Sequence, residues 1–505
     1  MARIAVIGAG MGAMAAAARL AVAGHRVTVY ERAATYGGGV GRFERDGFAF
    51  DTGPGLLHLP AVYRDLFVKT GKEPLERCVE MAQVDPAVRH VFADGTAVSL
   101  PNASRAGVVS ALDAALGAGV GERWGDFLTR ARDAWDRSRR PLLEEPLPAD
   151  VSPLRRDPYP ALKTGLLRRT ATTLAEVGRR ELRDPRLAAL LESYALAYGF
   201  DPATAPASAA VLPYMEQTFG SWYVTGGIRA LADAVYERCR ARGVAFVFGA
   251  EVTGVVAEGG RATGLELADG TLVDADQVVA GAPVPALYRE QVLEWESQDE
   301  WPRYQEALRT GRVTLCLAVR GARPADAVHR TVVHSTDRAD ELDGLAHARL
   351  CDRPTVTVLR PDDERLRPDG GHEAITVTAT VPAGGAWSSE NLWGEGPGDA
   401  AAGAFADRML EAAEAAVPGL RERLLWREVR TPADTFRETG AYQVPGPALA
   451  GAGGTLLPAA NPAPLPGLHF AGGWAHPGGG LAHAGMSGAL VAGLIVEGAA
   501  FRGSQ

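Results

Sequence analysis

The stretch RIAVIGAGMGA at residues 3–13 decides the fold of the first part of the chain. Its apolar run Arg3–Ile7 is typical of a strand that is buried on both faces of a parallel sheet. Gly8 and Gly10 end that run, an alanine-rich stretch then predicts a helix, and a second apolar run, RVTVY, occupies residues 26–30. This order of strand, glycine turn, helix and strand predicts a β-α-β unit that binds a dinucleotide.

Each small residue of the glycine turn has a physical reason to be small. Gly8 permits the tight turn, Gly10 lets the backbone approach a pyrophosphate, and Ala13 allows the helix to pack closely on the strand. The N-terminus of the helix offers N–H groups and a partial positive charge to the phosphates. Glu31 follows Gly10 by 21 positions (31 − 10), where a carboxylate accepts hydrogen bonds from a ribose and disfavours a 2′-phosphate.

A second glycine-rich loop, GGGVGRFERDGFAFDTGPG at residues 37–55, follows the acidic residue directly. An NAD-binding domain would normally continue into its next helix at this point. A second loop of this kind permits another close approach of the backbone, as a longer dinucleotide that carries a flavin ring requires. The loop therefore favours FAD over NAD.

The C-terminal stretch LHFAGGWAHPGGGLAHAGMSGALVAGLIV at residues 468–496 repeats the same order of elements. Residues 468–471 predict a buried strand, Gly472 and Gly473 a tight turn, and residues 482–496 a helix rich in small residues. The N-terminus of that helix, placed under a flavin, would stabilise negative charge on the reduced ring.

Together these segments resemble the phytoene desaturase family of FAD-dependent oxidoreductases, within the amine-oxidase-like flavoprotein superfamily. The matching pieces occur in family order along essentially the whole chain: VIGAGMGAM (6–14), GGGVGRFERDGFAFDTGP (37–54), RDPRLAALLESYALAYGFDPATAPA (183–207), GSWYVTGGIRALADAV (220–235) and AGGWAHPGGGL (471–481). The chain departs from the family at Gly39, where an arginine is usual and Arg42 compensates, and at Leu481-Ala482-His483, which replaces apolar-Pro-Gly.

The resemblance implies a set of cofactor contacts. The residues implied at the ADP half of FAD are Gly8, Gly10, Gly12, Ala13, Glu31 and Arg32, with Val252 at the adenine. Those implied along the diphosphate and the flavin are Gly38, Gly39, Arg42, Gly53 and Pro54. Those implied at the ribityl and ring end are Gly473, Gly480, Leu481 and Ala482.

The sequence predicts an α/β (α+β) fold with two discontinuous domains. A Rossmann-like FAD-binding domain is expected from residues 1–70, 225–285 and 440–505, and the hairpin pattern of residues 244–280 supports it. A substrate-binding domain of mixed sheet plus helices, with a helical cap, is expected from residues 71–224 and 286–439. Within that domain we expect strands at 313–319, 355–359 and 374–381 and a helix near 401–416.

Composition excludes several classes of protein. The chain has 505 residues, 47% of them hydrophobic, and a net charge of −9, so we expect a globular protein without a nucleic-acid partner. The four cysteines, Cys78, Cys239, Cys316 and Cys351, are far apart and predict neither a disulfide framework nor a metal site. No apolar run reaches about 18 residues and no signal peptide is recognisable, so we expect a cytoplasmic protein.

A basic segment at residues 155–186 contrasts with the acidic chain, since it holds nine arginines and lysines against four acids. Two interpretations stay open. The segment is a solvated helix face, or it is a surface that touches anionic lipid while the protein collects a lipid-soluble substrate. The oligomeric state is not predicted.

Two residues of the last glycine loop are candidates for a direct role in the reaction. We expect His476 to lie nearest the ring, where it either positions the substrate and handles a proton or shapes the loop through a hydrogen bond. Trp474 supplies either an aromatic wall for a polyene or ring, or packing.

The main functional hypothesis is a desaturase-like oxidoreductase that removes hydride from an apolar, isoprenoid or polyene substrate to the flavin N5. One alternative is a tailoring oxidase that acts on a polyketide, alkaloid or amine intermediate of specialised metabolism. Amine oxidases of the superfamily typically use a lysine of the late substrate domain, and Lys69, Lys72 and Lys163 all lie outside residues 286–439. A remoter alternative is a prenyl- or lipid-binding protein of the same fold without redox activity.

Overall fold

The computed structural model describes residues 1–162, 171–293, 310–383 and 397–503. The strands are Arg3–Ile7 (β1), Arg26–Glu31 (β2), Arg42–Arg45 (β3), Phe48–Asp51 (β4), Leu57–His58 (β5), Met81–Gln83 (β6), Val88–Val91 (β7), Ala97–Leu100 (β8), Ser221–Val224 (β9), Ala245–Phe248 (β10), Val252–Glu258 (β11), Arg261–Leu267 (β12), Leu272–Asp274 (β13), Gln277–Ala280 (β14), Thr310–Arg320 (β15), Arg330–Val333 (β16), Val356–Leu359 (β17), His372–Pro382 (β18), Leu424–Arg430 (β19) and Leu468–Phe470 (β20). The helices are Met11–Val22 (α1), Ala61–Gly71 (α2), Arg105–Leu116 (α3), Val120–Arg139 (α4), Leu174–Val177 (α5), Pro185–Ala197 (α6), Val211–Phe219 (α7), Arg229–Ala241 (α8), Val284–Arg289 (α9), Arg338–Ala346 (α10), Pro397–Ala413 (α11), Leu420–Arg423 (α12), Pro432–Thr439 (α13) and Leu481–Glu497 (α14).

A five-stranded parallel sheet joins the start, middle and end of the chain in the order β10-β2-β1-β14-β20. The predicted β-α-β unit forms its centre, because β1 and β2 are parallel neighbours connected by α1. The C-terminal strand β20 pairs with β14, so both glycine-rich ends of the chain reach the same sheet. The α/β fold class predicted from the sequence is confirmed.

Helices α1 and α14 pack against each other at very short range because small residues line their contact. The side chains of Ala15 and Ala16 in α1 are fully buried. A Cβ atom built on Gly488 of α14 would lie 2.7 Å from the backbone nitrogen of Ala16, which is closer than real Cβ contacts. The crossing therefore depends on the small residues that the sequence concentrates in both helices.

A seven-stranded mixed sheet, in the order β19-β15-β18-β17-β16-β7-β8, forms the second layer. Its central strands β15 and β18 are antiparallel over their whole length, and they cover the strands expected at 313–319 and 374–381. Helix α11 lies on one face, where Phe405 and Met409 pack against Leu315 and Val377. This apolar packing occupies one face of the sheet and leaves the other face for a cavity.

The strands of the two sheets come from different parts of the chain. All five strands of the parallel sheet derive from residues 1–70, 225–285 and 440–505, and all seven of the mixed sheet derive from 71–224 and 286–439. This origin is consistent with the division into an FAD-binding and a substrate-binding domain, which stays a prediction.

The basic segment at 155–186 lies around α5 and the start of α6, and its residues 163–170 lie outside the described residues. Several of its arginines are already engaged by acids. Glu176 forms ion pairs with Arg179 and Arg180, and Arg186 pairs with Asp184. These pairs favour the solvated helix face, and membrane contact stays a prediction. Within the described ranges, no helix is long and apolar enough to cross a membrane.

All four cysteines, Cys78, Cys239, Cys316 and Cys351, are free thiols. Cys239 and Cys316 are fully buried, and burial raises the pKa of both thiols to about 12. They are therefore inert core residues. Within the part of the chain that the structure describes, no cluster of histidine, cysteine or acidic side chains could hold a metal ion.

Candidate active site

A cavity of about 540 Å³ lies between the two sheets. It opens beyond Ile7, the last residue of β1, and reaches the mixed sheet, whose Thr314 and Thr378 line the opposite wall. Ligands of open α/β sheets bind at the carboxyl ends of the strands, and a volume of this size is typical of ligand pockets. The cavity is therefore the candidate active site.

The first glycine turn forms one end of the cavity. Gly8 has a φ of +83°, which favours glycine, and its N–H donates to the carbonyl oxygen of Tyr30 at 2.8 Å. A Cβ built on Gly10 would have open space around it, with the carbonyl oxygen of Gly281 as its nearest neighbour at 4.0 Å. The backbone at Gly10 is thus accessible from the cavity, as an approaching phosphate requires.

The carboxylate of Glu31 is held rigidly beside this turn. One of its oxygens accepts a hydrogen bond from the N–H of Ala9 at 2.7 Å, and the other accepts one from the N–H of Ala33 at 2.8 Å. Each carboxylate oxygen retains further accepting capacity, and Glu31 and Arg32 both line the cavity. The carboxylate is therefore oriented for a hydroxyl donor on a ligand.

The second glycine-rich loop lies directly on the first. The N–H of Gly37 donates to the carbonyl oxygen of Ala9 at 2.8 Å, and a Cβ on Gly38 would lie 3.1 Å from the Cα of Gly10. A Cβ on Gly53 would lie 2.1 Å from the carbonyl oxygen of Gly39. Glycines in this loop thus permit contact between backbones, which brings two turns to one side of the cavity.

Asp51, which the sequence analysis did not single out, connects this loop to the central motif GSWYVTGG. Its carboxylate accepts hydrogen bonds from the N–H groups of Ile228 at 2.8 Å and Arg229 at 3.1 Å, at the N-terminus of α8. A Cβ on Gly227 would lie 2.7 Å from one carboxylate oxygen, so the glycine makes room for the acid. Burial raises the pKa of Asp51 to about 6, although both amides and Arg42 oppose the shift.

The C-terminal glycine loop closes the cavity from the side of β20. The N–H of Gly472 donates to the hydroxyl of Ser487 at 3.0 Å, and the buried amide of Asn461 donates to the carbonyl oxygen of His476 at 2.7 Å. The hydroxyl of Tyr63 donates to the carbonyl oxygen of Leu481 at 2.9 Å, where α14 begins. The loop is therefore fixed by side chains that lie outside the loop itself, from Asn461, Ser487 and Tyr63.

Most of the residues predicted at the site line this one cavity. They are Gly8, Gly10, Gly12, Glu31, Arg32, Gly38, Gly39, Gly53, Pro54, Val252, Gly473, Trp474, Gly480, Leu481 and Ala482. Their roles toward a cofactor or substrate stay predictions.

Three predicted residues, Ala13, Arg42 and His476, are not among the lining residues. Ala13 packs under Gly281, and a Cβ atom built on Gly281 would lie 2.5 Å from the Cβ of Ala13. Arg42 pairs with Glu44 at 2.6 Å.

The ring of His476 is fully buried outside the cavity lining. Its Nε2 lies 2.9 Å from the carbonyl oxygen of Glu145, and burial lowers its pKa to about 4. These contacts support the loop-shaping interpretation of His476, and the geometry gives no support to a direct role in the reaction. His483, at the start of α14, does line the cavity, and burial lowers its pKa to about 4, assisted by His476.

A buried ion pair forms part of the cavity wall and was not anticipated from the sequence. Arg330 and Glu216 meet at 2.5 Å, and Nε2 of His58 lies 3.6 Å from the second oxygen of Glu216. Burial alone would raise the pKa of Glu216, but the charges of Arg330 and His58 lower it below its usual value. The cavity wall at this point therefore carries charged side chains whose net charge is close to zero.

Comparison with known proteins agrees with this architecture. The family described as flavin containing amine oxidoreductase matches residues 14–496. The chain is 29% identical over 384 residues to a zeta-carotene-forming phytoene desaturase of Myxococcus xanthus, covering 75% of this chain and 72% of the relative. It is 28% identical over 506 residues to a 4,4'-diapolycopene oxygenase of Methylomonas, covering 98% of each. An oxidoreductase structure from Methanosarcina mazei, 18% identical, superposes with a TM-score of 0.63 over 97% of this chain and 99% of that one.

Proposed function

Because the chain belongs to the family of flavin containing amine oxidoreductases, we propose that it removes hydride from an apolar, polyene-type substrate held in the cavity between its two sheets. The protein is an FAD-dependent oxidoreductase. Its curated relatives include desaturases that form zeta-carotene and act on hydroxyneurosporene. A polyene-type substrate for this chain is our extension from those relatives.

The residues around the two glycine loops fit FAD. The open backbone at Gly10 and the N-terminus of α1 suit a diphosphate, and the fixed carboxylate of Glu31 suits the hydroxyls of a ribose. Bound there, FAD supplies the acceptor for the hydride. We propose the residues of both loops that line the cavity, from Gly8 to Pro54, as the cofactor contacts.

Part of the remaining cavity wall suits a substrate with a long apolar part. Trp474, Leu481, Leu59 and Met215 line it, and such side chains exclude water from a bound hydrocarbon segment. The observation that carries the proposal is that this wall and the glycine loops belong to one continuous cavity. A substrate held by the wall would therefore lie beside the cofactor.

Amine oxidation is the weaker candidate. The amine oxidases that this chain resembles typically place a lysine beside the flavin. Lys69 and Lys72 belong to α2 and its C-terminal cap and are not cavity-lining residues, whereas Lys163 lies outside the described residues. The described part of the cavity thus offers no lysine for that chemistry.

The test combines cofactor binding with reduction of the flavin. The protein is purified, loaded with FAD and mixed under anaerobic conditions with phytoene or with putrescine. We expect a yellow protein whose flavin absorbance is bleached by phytoene and unchanged by putrescine. Bleaching by putrescine alone, or a folded protein that does not take up FAD, would contradict the proposal.

Two matched variants assign the cofactor site within the same experiment. Glu31→Ala removes the fixed carboxylate and is expected to weaken FAD binding by tenfold or more, which corresponds to about 1.4 kcal/mol or more. Glu258→Ala, at an exposed position at the end of β11, is expected to bind FAD as the unmodified protein does. Equal loss in both variants would remove the assignment of Glu31.

A further inference from the structure

The two faces of the mixed sheet differ in chemistry. Along β15, Val313 and Leu315 point to the apolar core under α11, whereas Arg312 and Thr314 line the cavity. Side chains alternate between faces along a strand, so this alternation is built into the sequence. The face that a polyene-type substrate would touch is thus the polar one.

A row of threonines crosses this polar face. Thr314, Thr378 and Thr357 are directly opposite one another on the neighbouring strands β15, β18 and β17, and all three line the cavity. Thr376 extends this hydroxyl-bearing surface along β18, whereas the hydroxyl of Thr380 already donates to the carbonyl oxygen of Leu196 at 2.7 Å. A pure hydrocarbon pressed on this surface would cover hydroxyl groups without offering them a hydrogen bond, which costs free energy.

Arg312 adds a cation to the same surface, because it lies opposite Thr380 in the register of β15 and β18. Its guanidinium donates to the carbonyl oxygen of Ala197 at 2.5 Å. Ala197 is the last residue of α6, and the C-terminus of a helix carries only a fraction of a negative charge. That contact orients the guanidinium without neutralising it.

Two other arginines of the cavity wall, Arg330 and Arg430, have acidic partners. Arg330 pairs with Glu216 and Arg430 pairs with Glu438, both at 2.5 Å. Among the described residues, Arg312 has no carboxylate partner. Burial lowers the pKa of Arg312.

A part-buried guanidinium without a counter-ion is costly, and a ligand that supplies a carboxylate reduces that cost. The planar guanidinium also matches a carboxylate geometrically, because two parallel N–H groups can donate to its two oxygens. Arg312 and the adjoining threonines therefore form a site for an oxygen-bearing, negatively charged group at one end of the cavity.

We propose that the substrate carries a carboxylate on its apolar skeleton, and that Arg312 and hydroxyl groups of the adjoining threonine row bind the oxygen atoms of this carboxylate. The inference rests on the proposed function, because it assigns the substrate of that same cavity to the class of long apolar acids. It predicts that this chain binds an apolar acid more tightly than a plain hydrocarbon of similar length.

The test measures binding of all-trans-parinaric acid and of its methyl ester by equilibrium dialysis against the protein loaded with FAD. The two probes share a polyene chain and differ in the charged group. We expect the unmodified protein to bind the acid at least tenfold more tightly than the ester. Equal binding of the two probes would overturn the inference without any variant.

Variants then locate the preference. Arg312→Met should abolish the preference for the acid over the ester, and Arg312→Lys should retain part of this preference. Arg320→Met, on the same strand but exposed to solvent, should show the full preference. Thr378→Val should weaken binding of the acid threefold or more. The control is Thr331→Val, since Thr331 is buried but is not part of the cavity lining.

Other outcomes separate this inference from the proposed function. Loss of FAD from the Arg312→Met variant would assign the arginine to the cofactor and overturn the inference. Tight, Arg312-dependent binding of the acid without bleaching of the flavin by any polyene would contradict hydride removal and leave the carboxylate site intact. Dialysis against protein without added FAD separates ligand binding from cofactor binding.

Discussion

Gly12 of α1 and Gly472 of the C-terminal loop are in direct backbone contact, since a Cβ on Gly12 would lie 2.6 Å from the Cα of Gly472. The same Cβ would lie 2.8 Å from the carbonyl oxygen of Ala484 in α14. The third glycine of the first turn therefore has a role in joining the two ends of the chain. It brings the N-termini of α1 and α14 to one cavity.

This contact predicts that Gly12→Ala destabilises the protein and weakens FAD binding. Backbone atoms on both sides must move to admit the methyl group, and overpacking of this kind costs about 1–3 kcal/mol. Gly403→Ala is the matched control, because Gly403 also lies inside a helix and its Cβ would meet no atom within 4 Å. Denaturant unfolding of both variants checks the prediction, and equal stability of the two would contradict it.

The carboxylate of Asp51 supports the N-terminus of α8, and a second prediction concerns its removal. Asp51→Ala leaves the N–H groups of Ile228 and Arg229 without their acceptor, and losing such a cap costs about 1–2 kcal/mol. Because Asp51 also lines the cavity, the variant should retain less FAD after gel filtration. Ser104→Ala removes the cap of α3, remote from the cavity, and should lower stability with no loss of FAD.

The ion pair of Glu216 and Arg330 gives a third prediction. Arg330→Met leaves the buried carboxylate unpaired and should reduce the free energy of unfolding by about 3–5 kcal/mol. Adding Glu216→Gln removes the stranded charge, so the double variant should regain more than half of the loss. Denaturant midpoints of Arg330→Met, of Glu216→Gln alone and of the double variant measure this coupling. A double variant no more stable than Arg330→Met would show that His58 already compensates Glu216.

The sequence predicts the elements of the site whose requirements are local. The turn at Gly8, the strands β1 and β2 and both glycine-rich loops can be recognised from residues that are close together in the sequence. A sequence motif predicts where a residue lies along the chain but not the direction of its side chain. Arg42 and His476 therefore belong to the glycine-rich loops without lining the cavity.

The polar sheet face depends on register, which a single sequence does not reveal. Thr314 meets Thr378 only because β15 and β18 pair in one particular alignment. The alternation ITVTATV at residues 375–381 does signal a two-faced strand, but it does not say that its polar face borders a cavity. Arg312 could be recognised as unpaired only once α6 and the sheet had been brought together.

Buried histidines predict how stability depends on pH. Burial lowers the pKa of seven of them: His58, His90, His329, His334, His469, His476 and His483. The unfolded chain binds protons at these rings near pH 6.5, whereas the folded chain does so only at lower pH, about 4 for His483. Between these values the unfolded state binds more protons, so stability falls as the pH falls.

Carboxyl groups whose pKa is raised in the folded state act in the opposite direction. Burial raises the pKa of five of them: Asp51, Asp157, Glu181, Glu192 and Glu341. The pKa in the folded state is about 6 for Asp51 and about 7 for Glu341. As the pH falls, the folded state therefore binds a proton at these groups before the unfolded state does, which favours the folded state. The seven histidines outnumber these five acids, and we expect the unfolding midpoint in urea to decrease between pH 6.5 and 4.5.

A single histidine variant tests the sign of this effect. His483→Gln replaces a ring that protonates in the unfolded chain with an amide that does not titrate. The dependence of the free energy of unfolding on pH should therefore become shallower, by up to about 1.4 kcal/mol per pH unit for one proton. An equal slope in the unmodified protein and in His483→Gln would mean that this ring is already protonated when folded.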